Sequence, residues 1–558
     1  MERSMKRIIL AGINARYTHS CLALYCLKSA LRGIEVEAAV REFSINQPVD
    51  EIAARLAAEG ADVTALSVYI WNSEPVRKLL PLLHERCPGT LLVLGGPEVS
   101  YNPGSWLEAF PFIGCIVTGR GEQGFRALAA GGFRDNKKII AVPNPPFADM
   151  PAPYTEEDLA GLTNRYIYYE SSRGCPFRCT YCLSSRSDQT MELKPVETVT
   201  DELKLILRCR PRLVKFIDRT FNAVRGHGRA VWRHLLENYG TGPTTFHFEI
   251  HPLYLDEEDF AVLSLCPEGL FQFEIGVQST NRETLAAVKR SGDWERERAA
   301  LERLIALGNI RVHLDLIAGL PFEDMTSFAH SFNEVYGLRP DHLQAGFLKV
   351  LPGTEMMDAA GRFGISYSPR APYQVSGTQW LSGNELGLLE RISRLVDRLY
   401  NTGRFDMTLD ALAGRHESSF DLYRELVLHD YGSTARLTRG WESCAVFLMD
   451  YMASRFPAGK SFFLDAMRWD WCAVSRIPHY PDMIRPEGHA ATKKNGVAFF
   501  RSHEVDGIIS HQGCRFDISD LKRSLFFRAE SDEFMEKQMK GNDHALFLPD
   551  KRIIMFTV

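Results

Sequence analysis

No stretch of the 558-residue sequence approaches the ~18 consecutive apolar residues of a membrane-spanning helix, so no membrane span is expected. The opening Met1-Glu-Arg-Ser-Met-Lys-Arg7 leads into Ile8-Ile9-Leu10 and not into a signal-peptide core with a cleavage site, and the expected compartment is the cytoplasm. Charge is nearly balanced. The formal net value is −5 and the pI is near 6.4, which gives no global attraction to nucleic acid or anionic lipid, and nucleic acid is not favoured as a partner. Cysteine is sparse, twelve residues with nine scattered outside one short cluster, which excludes a disulfide framework and points to reduced thiols. A second C-x2-C pair is missing, which argues against structural zinc. Missing too is a Gly-x-Gly-x-x-Gly run after the first strand-like segment, which argues against a nicotinamide dinucleotide there. What remains, 45% hydrophobic and 24% charged, is an ordinary globular chain long enough for three or four domains.

The first part alternates two periodicities. Apolar, β-branched runs at 7–12, 36–40, 63–70, 91–95 and 114–118 are separated by helical patterns at 22–31, 52–58 and 76–85. The alternation predicts an α/β, doubly wound parallel sheet of Rossmann-like type over residues 1–140. Ligands of such sheets sit beyond the carboxyl ends of the strands, and two glycine turns fall there: Leu94-Gly95-Gly96-Pro97-Glu98 and Val117-Thr118-Gly119-Arg120-Gly121-Glu122. Glycine admits the backbone to a flat or phosphorylated ligand, although tight turns after strands also need it for steric reasons alone. The loop after the first strand contains His19, which a solvated or helix-capping role explains most simply. A proline-rich stretch, Val142 to Pro153, predicts a linker over 141–160.

A second alternation follows. Strand-like runs at 165–170, 213–218, 245–250, 271–277, 312–317 and 343–350 alternate with helical patterns and predict a partial (β/α)6 barrel over 161–356. Catalytic groups of parallel barrels come from the carboxyl ends of strands, which nominates Asp218, Glu249, Glu274 with Gln278 and Ser279, and Gly319 with Pro321. Beyond Leu351-Pro-Gly-Thr-Glu355 the rhythm stops, and 357–558 is expected to be a mostly helical accessory domain, with helices near 384–399, 419–428 and 441–454. Its runs Asn495–Phe500 and Arg552–Thr557 read as strands. Met467-Arg-Trp-Asp-Trp-Cys472 reads as aromatic packing in a small core, with a cavity wall as the alternative.

The dense cysteine cluster carries the chemistry. Cys175, Cys179 and Cys182 lie in Glu170-Ser-Ser-Arg-Gly-Cys-Pro-Phe-Arg-Cys-Thr-Tyr-Cys182, just past the first strand of the second alternation. Three thiolates can hold a [4Fe–4S] cube while leaving one iron open to an exogenous ligand. His247 and His251 have H-x3-H spacing but fall far downstream and are not nominated as further ligands. The C-x3-C-x2-C spacing, with Tyr181 before the last cysteine, resembles the radical S-adenosylmethionine (radical SAM) enzymes. With the two glycine turns ahead of it and a tail of unassigned function behind, the chain resembles bacterial B12-binding radical SAM proteins.

That resemblance implies a [4Fe–4S] cluster on Cys175, Cys179 and Cys182, with SAM bound near Tyr181, Asp218, Glu274, Gln278, Ser279, Gly319 and Pro321. It also implies cobalamin at Gly95, Gly96, Pro97, Gly119, Gly121 and Glu122, and a flavodoxin- or ferredoxin-type reductant as partner. The Asp-x-His-x-x-Gly loop that places a histidine beneath cobalt is absent. So is a clear Gly-Gly-Glu for the SAM amine, which makes Asp218 the first candidate for that role. The implied reaction is homolysis of SAM to a 5′-deoxyadenosyl radical, with methylation of an unactivated carbon as the leading outcome. Rearrangement, oxidation, tRNA methylthiolation and a non-enzymatic sensor are the alternatives. Cys21, Cys26, Cys87 and Cys115 are the thiols a second cluster of the methylthiotransferase kind would need.

Overall fold

The computed structural model describes residues 6–185, 190–290, 292–429, 438 and 440–557. Most of the chain up to Leu386 forms one compact unit, and Gly387 onward, with Asp341–Gln344, forms a second. In the first unit, strands β1 (Lys6–Asn14), β2 (Val36–Ser44), β3 (Val63–Ser67), β4 (Leu91–Gly95), β5 (Cys115–Val117) and β6 (Ile139–Ile140) make a parallel sheet in the order β2-β1-β3-β4-β5-β6. Both faces of β1 are covered: Ile9, Ala11 and Ile13 join one apolar core, while Ile8 and Leu10 join the other. A strand buried on two sides reads as a continuous apolar run, which is why Ile8-Ile9-Leu10 shows no alternation. The order reverses between β1 and β3, so a crevice opens at their carboxyl ends.

The second sheet contains β7 (Ile167–Tyr169), β10 (Leu213–Phe216), β11 (Thr245–Glu249), β12 (Phe271–Gln278), β13 (Arg311–Ala318) and β14 (His342–Phe347), in the order β14-β13-β12-β11-β10-β7. A short antiparallel ribbon, β8 (Ser172–Arg173) with β9 (Glu192–Leu193), follows β7. Here the side chains do alternate. Phe271, Phe273, Ile275 and Val277 are buried, while Gln272, Glu274, Gly276 and Gln278 between them are only partly so. Phe248 and Phe273 pack around Trp232 of the helix His227–Tyr239, at ring separations of 6.1 and 5.4 Å. The aromatic side of the sheet therefore faces the helices and leaves polar side chains on the opposite side. The linker is not featureless: Phe147–Asp149 forms a 3₁₀ turn with Phe147 buried, and Glu156–Ala160 forms a helix.

The second unit contains helices Asp406–Ala413, Ser419–His429, Trp441–Arg455, Lys460–Val474 and His489–Arg501. It also has two three-stranded antiparallel sheets, β15 (Glu504–Val505), β16 (Ile508–His511) and β17 (Cys514–Asp517), and β18 (Leu525–Arg528), β19 (His544–Phe547) and β20 (Ile553–Phe556). The run Asn495–Phe500, expected as a strand, lies inside the helix His489–Arg501. Its buried residues Thr492, Gly496 and Phe500 recur every four positions. Five apolar residues in a row do not distinguish the two periods, and packing of Gly496 against Phe526 decides for helix. Trp469 packs edge-on to Phe527 and Phe547, consistent with aromatic core packing.

Glycine is obligatory at the first turn. Gly96 has φ +108, and a Cβ there would lie 2.5 Å from the Val68 carbonyl oxygen. Gly33 shares the left-handed backbone, φ +81, but a Cβ there meets nothing within 4 Å. Gly96→Ala is expected to cost about 2–3 kcal/mol and Gly33→Ala about 1 kcal/mol, read as the difference between their thermal melting shifts.

Candidate functional site

The three cysteines sit on the loop leaving the carboxyl end of β7, and the base of that loop is fastened to β10. Asp218, just beyond β10 and fully buried, accepts hydrogen bonds from the Ser171 amide (3.0 Å) and from the Ser171 and Ser172 hydroxyls (2.6 Å each). Burial raises the Asp218 carboxyl above its ordinary value, and these donors oppose the rise without cancelling it. A carboxylate so committed braces the loop more readily than it receives the amine of a ligand. Gly174, with φ +87, is forced by crowding, because a Cβ would lie 2.6 Å from the Thr190 carbonyl oxygen.

Inside the loop the cysteines are free thiols, with Cys179 buried and the other two partly exposed. The Thr180 amide donates to the Val288 carbonyl (3.0 Å), and the Thr180 carbonyl accepts from the Met356 amide (2.8 Å), pinning the segment between distant loops. Cys175 Sγ lies 3.5 Å from the Thr220 hydroxyl. Burial pushes the Cys175 thiol up, the Thr220 hydroxyl pulls it down, and the thiols of Cys182 and Cys179 push it up again. Burial and neighbouring Cys179 keep the Tyr181 phenol protonated. Arg290 reaches Cys179 Sγ with one nitrogen (4.0 Å) and the Gly276 carbonyl with another. Phe177 stacks on His251 at 4.6 Å. Burial and the Arg290 charge lower His251 to about 3, so it is neutral there.

The other nominated residues divide by depth. Gln278 ends β12 with φ +71, next to a register irregularity between Gly276 and Gln278. Its side chain folds over Gly276, and its Oε1 is buried without a hydrogen-bond donor. Left-handed backbone at a non-glycine residue is strain that surrounding structure must hold, and such strain clusters at ligand sites. Gly319, φ +89, lies against Val375, and Pro321 is buried just beyond it. Ser279 is buried and donates to Glu323 Oε1 at 2.5 Å.

Glu274 lies in mid-strand, below the rim where the sequence suggested it. It accepts from His247 Nε2 at 3.0 Å and sits 3.3 Å from Lys215 Nζ. Burial alone would raise it, but the His247 hydrogen bond and the Lys215 charge hold it well below the usual carboxylate range. Glu274, His313 and Asp315 place three ligand atoms within 4.8 Å of one another, and Glu274 is already engaged by Lys215 and His247. Glu249, 3.9 Å from Arg219, is raised to about 7 by burial.

Both glycine turns lie at the carboxyl edge of the first sheet. The Gly119 amide donates to the Ser100 hydroxyl at 3.3 Å, joining them. Pro97 starts the short helix Pro97–Ser100, and a Cβ on Gly119 would meet nothing within 4 Å. Glu122 is not open to a ligand: its two oxygens accept from Arg173 Nη2 (2.7 Å) and Asn144 Nδ2 (3.2 Å). His19 is partly exposed and caps no helix. Its Nδ1 lies 2.8 Å from the hydroxyl of Tyr168 on β7, and burial, then Arg16 and Lys215, lower its pKa. The first sheet's ligand edge thus meets the polar side of the second. Sequence reasoning missed several contributors here. Tyr69 and Trp71 stack at 4.4 Å, and Asn72 Nδ2 donates to the Ile13 and Ser67 carbonyls, sewing β1 to β3. Arg173 and Gly174, adjacent to Cys175, were the legible signal. Arg290 had none.

Burial raises Glu323 to about 8, against an ordinary value of 4.5. The folded state therefore holds a proton that the unfolded chain releases between those values, so this residue's contribution to stability falls as pH rises through them. Glu323→Gln should flatten that decline, measured as the wild-type-minus-variant melting temperature from pH 4.5 to pH 8.

The B12 binding domain profile matches residues 8–129, the Radical SAM superfamily profile residues 169–335, and the profile described as a protein of unknown function (DUF4080) residues 361–543. The cobalamin-dependent radical SAM methyltransferase TokK of Streptomyces tokunonensis is 26% identical over 415 residues, 66% of this chain and 59% of that protein. A 2-(S-pantetheinyl)-carbapenam-3-carboxylate methyltransferase of Streptantibioticus cattleyicolor is 27% identical over 48% of this chain and 44% of its own length. The chain thus spans less than two thirds of these relatives. Among solved structures, the cobalamin-dependent S-adenosylmethionine radical enzyme OxsB, with aqua-cobalamin and S-adenosylmethionine bound, matches with a TM-score of 0.57 at 17% identity, covering 84% of this chain and 79% of that one. The radical S-adenosylmethionine methyltransferase TsrM from Kitasatospora setae matches with a TM-score of 0.54 at 16% identity, covering 68% and 80%. These two likenesses show the fold. The chain thus carries, in order, a region that matches the B12 binding domain, a region that matches the Radical SAM superfamily and a region that matches DUF4080.

Proposed function

We propose that this protein is a cobalamin-dependent radical SAM enzyme that methylates an unactivated carbon of its substrate. The observation that carries the reading is the loop of Cys175, Cys179 and Cys182 at the carboxyl end of β7, with His19 of the first sheet's ligand edge bonded to Tyr168 of the same strand. The residues fit the groups implied. Three free thiols share one pinned loop, Gly96 leaves its turn no room for a side chain, and Gln278 offers a buried acceptor without a donor.

When bound, a reduced [4Fe–4S] cluster with SAM supplies a 5′-deoxyadenosyl radical, and methylcobalamin supplies the methyl group. The chain's own part is placement. Cys175, Cys179 and Cys182 would hold three irons, leaving the fourth for the amine and carboxylate of SAM. Tyr181, Gln278, Gly319 and Pro321 would line the SAM site, while Asp218 and Ser279 hold its walls through Ser171, Ser172 and Glu323. Gly95, Gly96, Pro97, Gly119 and Gly121 would carry the corrinoid, while the Tyr168 hydroxyl occupies Nδ1 of His19. The polar side of the second sheet, with Lys215, His247 and Glu249, suits a substrate rich in hydrogen-bonding groups. The names of TokK and the carbapenam carboxylate methyltransferase support methyl transfer. A flavodoxin- or ferredoxin-type protein would supply electrons. Methylthiolation is disfavoured, since Cys21 precedes and Cys26 lies within the helix Leu22–Ala30 while Cys115 lies in β5, so these thiols share no loop.

Anaerobically reconstituted protein should contain about four irons and about one cobalt per chain and release 5′-deoxyadenosine from SAM under a reductant. Cys175→Ala, Cys179→Ala and Cys182→Ala should each abolish that release, and full release from any of them overturns the reading. Gly119→Ala should cost only about 1 kcal/mol of stability yet lower cobalt uptake at least several-fold, measured by metal analysis beside thermal melting.

A further inference from the structure

Between β8 and β9 lie the three cysteines, so the ribbon is the neck of their loop. Arg173 and Glu192 face one another across it as register partners. The turn after β5 grips both with opposite charge: Arg120 Nη1 lies 2.7 Å from Glu192 Oε1, and Glu122 Oε1 accepts from Arg173 Nη2 at 2.7 Å. Gly119 and Gly121, with φ of +77 and +76, flank Arg120. The same carboxylates reach into the linker, Glu192 Oε2 accepting from the Phe147 amide (2.7 Å) and Glu122 from Asn144. Arg173 also donates to Glu170 at the end of β7 (2.9 Å).

Resting on the cobalamin reading above, we propose that Arg120, Glu122, Arg173 and Glu192 form a reciprocal clamp that transmits corrinoid occupancy of the Gly119–Gly121 turn to the cluster loop. The four are positioning residues. Arg173 stands two residues from Cys175, so a shift of the turn moves the first cluster ligand through one guanidinium. Within the Glu122–Arg173 pair each partner needs the other's sign, because a buried charge that loses its counter-ion is strongly disfavoured. The Glu122–Arg173 pair is the buried half, with side chains 4% and 11% exposed, and the Arg120–Glu192 pair is the accessible half, at 28% and 27%. Two states of such a contact, biased from either end, suffice to couple the sites.

The accessible half permits a charge exchange. Arg120→Glu, Glu192→Arg, their double variant and the milder Glu192→Gln are reconstituted with iron and sulfide, and hydrogen–deuterium exchange of the peptide spanning 174–184 is followed with and without hydroxocobalamin. Metal analysis and the electron paramagnetic resonance of the reduced, SAM-bound cluster are read on the same samples. In the wild type, hydroxocobalamin should slow exchange of the cluster loop and alter the cluster spectrum. Each single variant, Glu192→Gln included, should keep about four irons but lose more than half of that response, and the double variant should regain it. Full response in Glu192→Gln, or no recovery in the double variant, overturns the clamp. Wild-type protein that binds cobalt and iron yet shows no response overturns the coupling alone, whereas wild-type protein that binds no cobalt overturns the cobalamin reading with it.

Discussion

One buried carboxylate holds the site in place. Asp218 sits just beyond the carboxyl end of β10 and spends its lone pairs on Ser171 and Ser172, between β7 and the cysteines. An ionised carboxylate buried without donors costs several kcal/mol, and three short hydrogen bonds offset that cost only while Ser171 and Ser172 keep their places. The constraint is therefore mutual. The acid is tolerable because the loop is there, and the loop begins at a fixed point because the acid is there. Gly174 then turns the chain where no side chain fits, and the cysteines follow from that point.

The second sheet inverts the usual division between inside and outside. Its aromatic face, built from Phe216, Phe246, Phe248, Phe271 and Phe273, packs outward on helices and buries the apolar area that holds the unit together. Its other face carries Lys215, His247, Glu249 and Glu274, which bond mostly to one another. Cohesion and chemistry thus occupy opposite faces of the same strands. Substitutions on the polar face can retune recognition without removing the packing that keeps the strands parallel.

The strands and helices of both parallel sheets were legible because their periods differ and their segments are long. The alternation of Phe271 to Gln278 and the unbroken run of Ile8 to Ile13 are each what burial on one or two faces requires. Cys175, Cys179 and Cys182 were legible because three thiols in one short loop have few other uses. Residues that work by bonding across the chain were not. Glu122 reads as a ligand of its own glycine turn, yet its partner Arg173 lies 51 residues away, and nothing local announces the pairing. Glu274 reads as a rim residue because strand ends in sequence are uncertain by a turn of the pattern. Asn495–Phe500 was misread because an apolar run too short to show a period takes its shape from what it packs on.

The outer edge of β7 is covered by the loop after β1 and by Tyr154 of the linker. The Tyr166 amide donates to the Thr18 carbonyl, the Tyr166 carbonyl accepts from the Ser20 hydroxyl, and the Tyr168 carbonyl accepts from the Tyr154 hydroxyl, each at 2.7 Å. An edge left with such groups bare would recruit a foreign strand. The covering loop is synthesised about 150 residues before the edge that it covers, as the separation of 146 between Ser20 and Tyr166 records. During translation the loop that covers this rim is therefore present before the rim itself emerges, and the chain carries its own cover against edge-to-edge pairing.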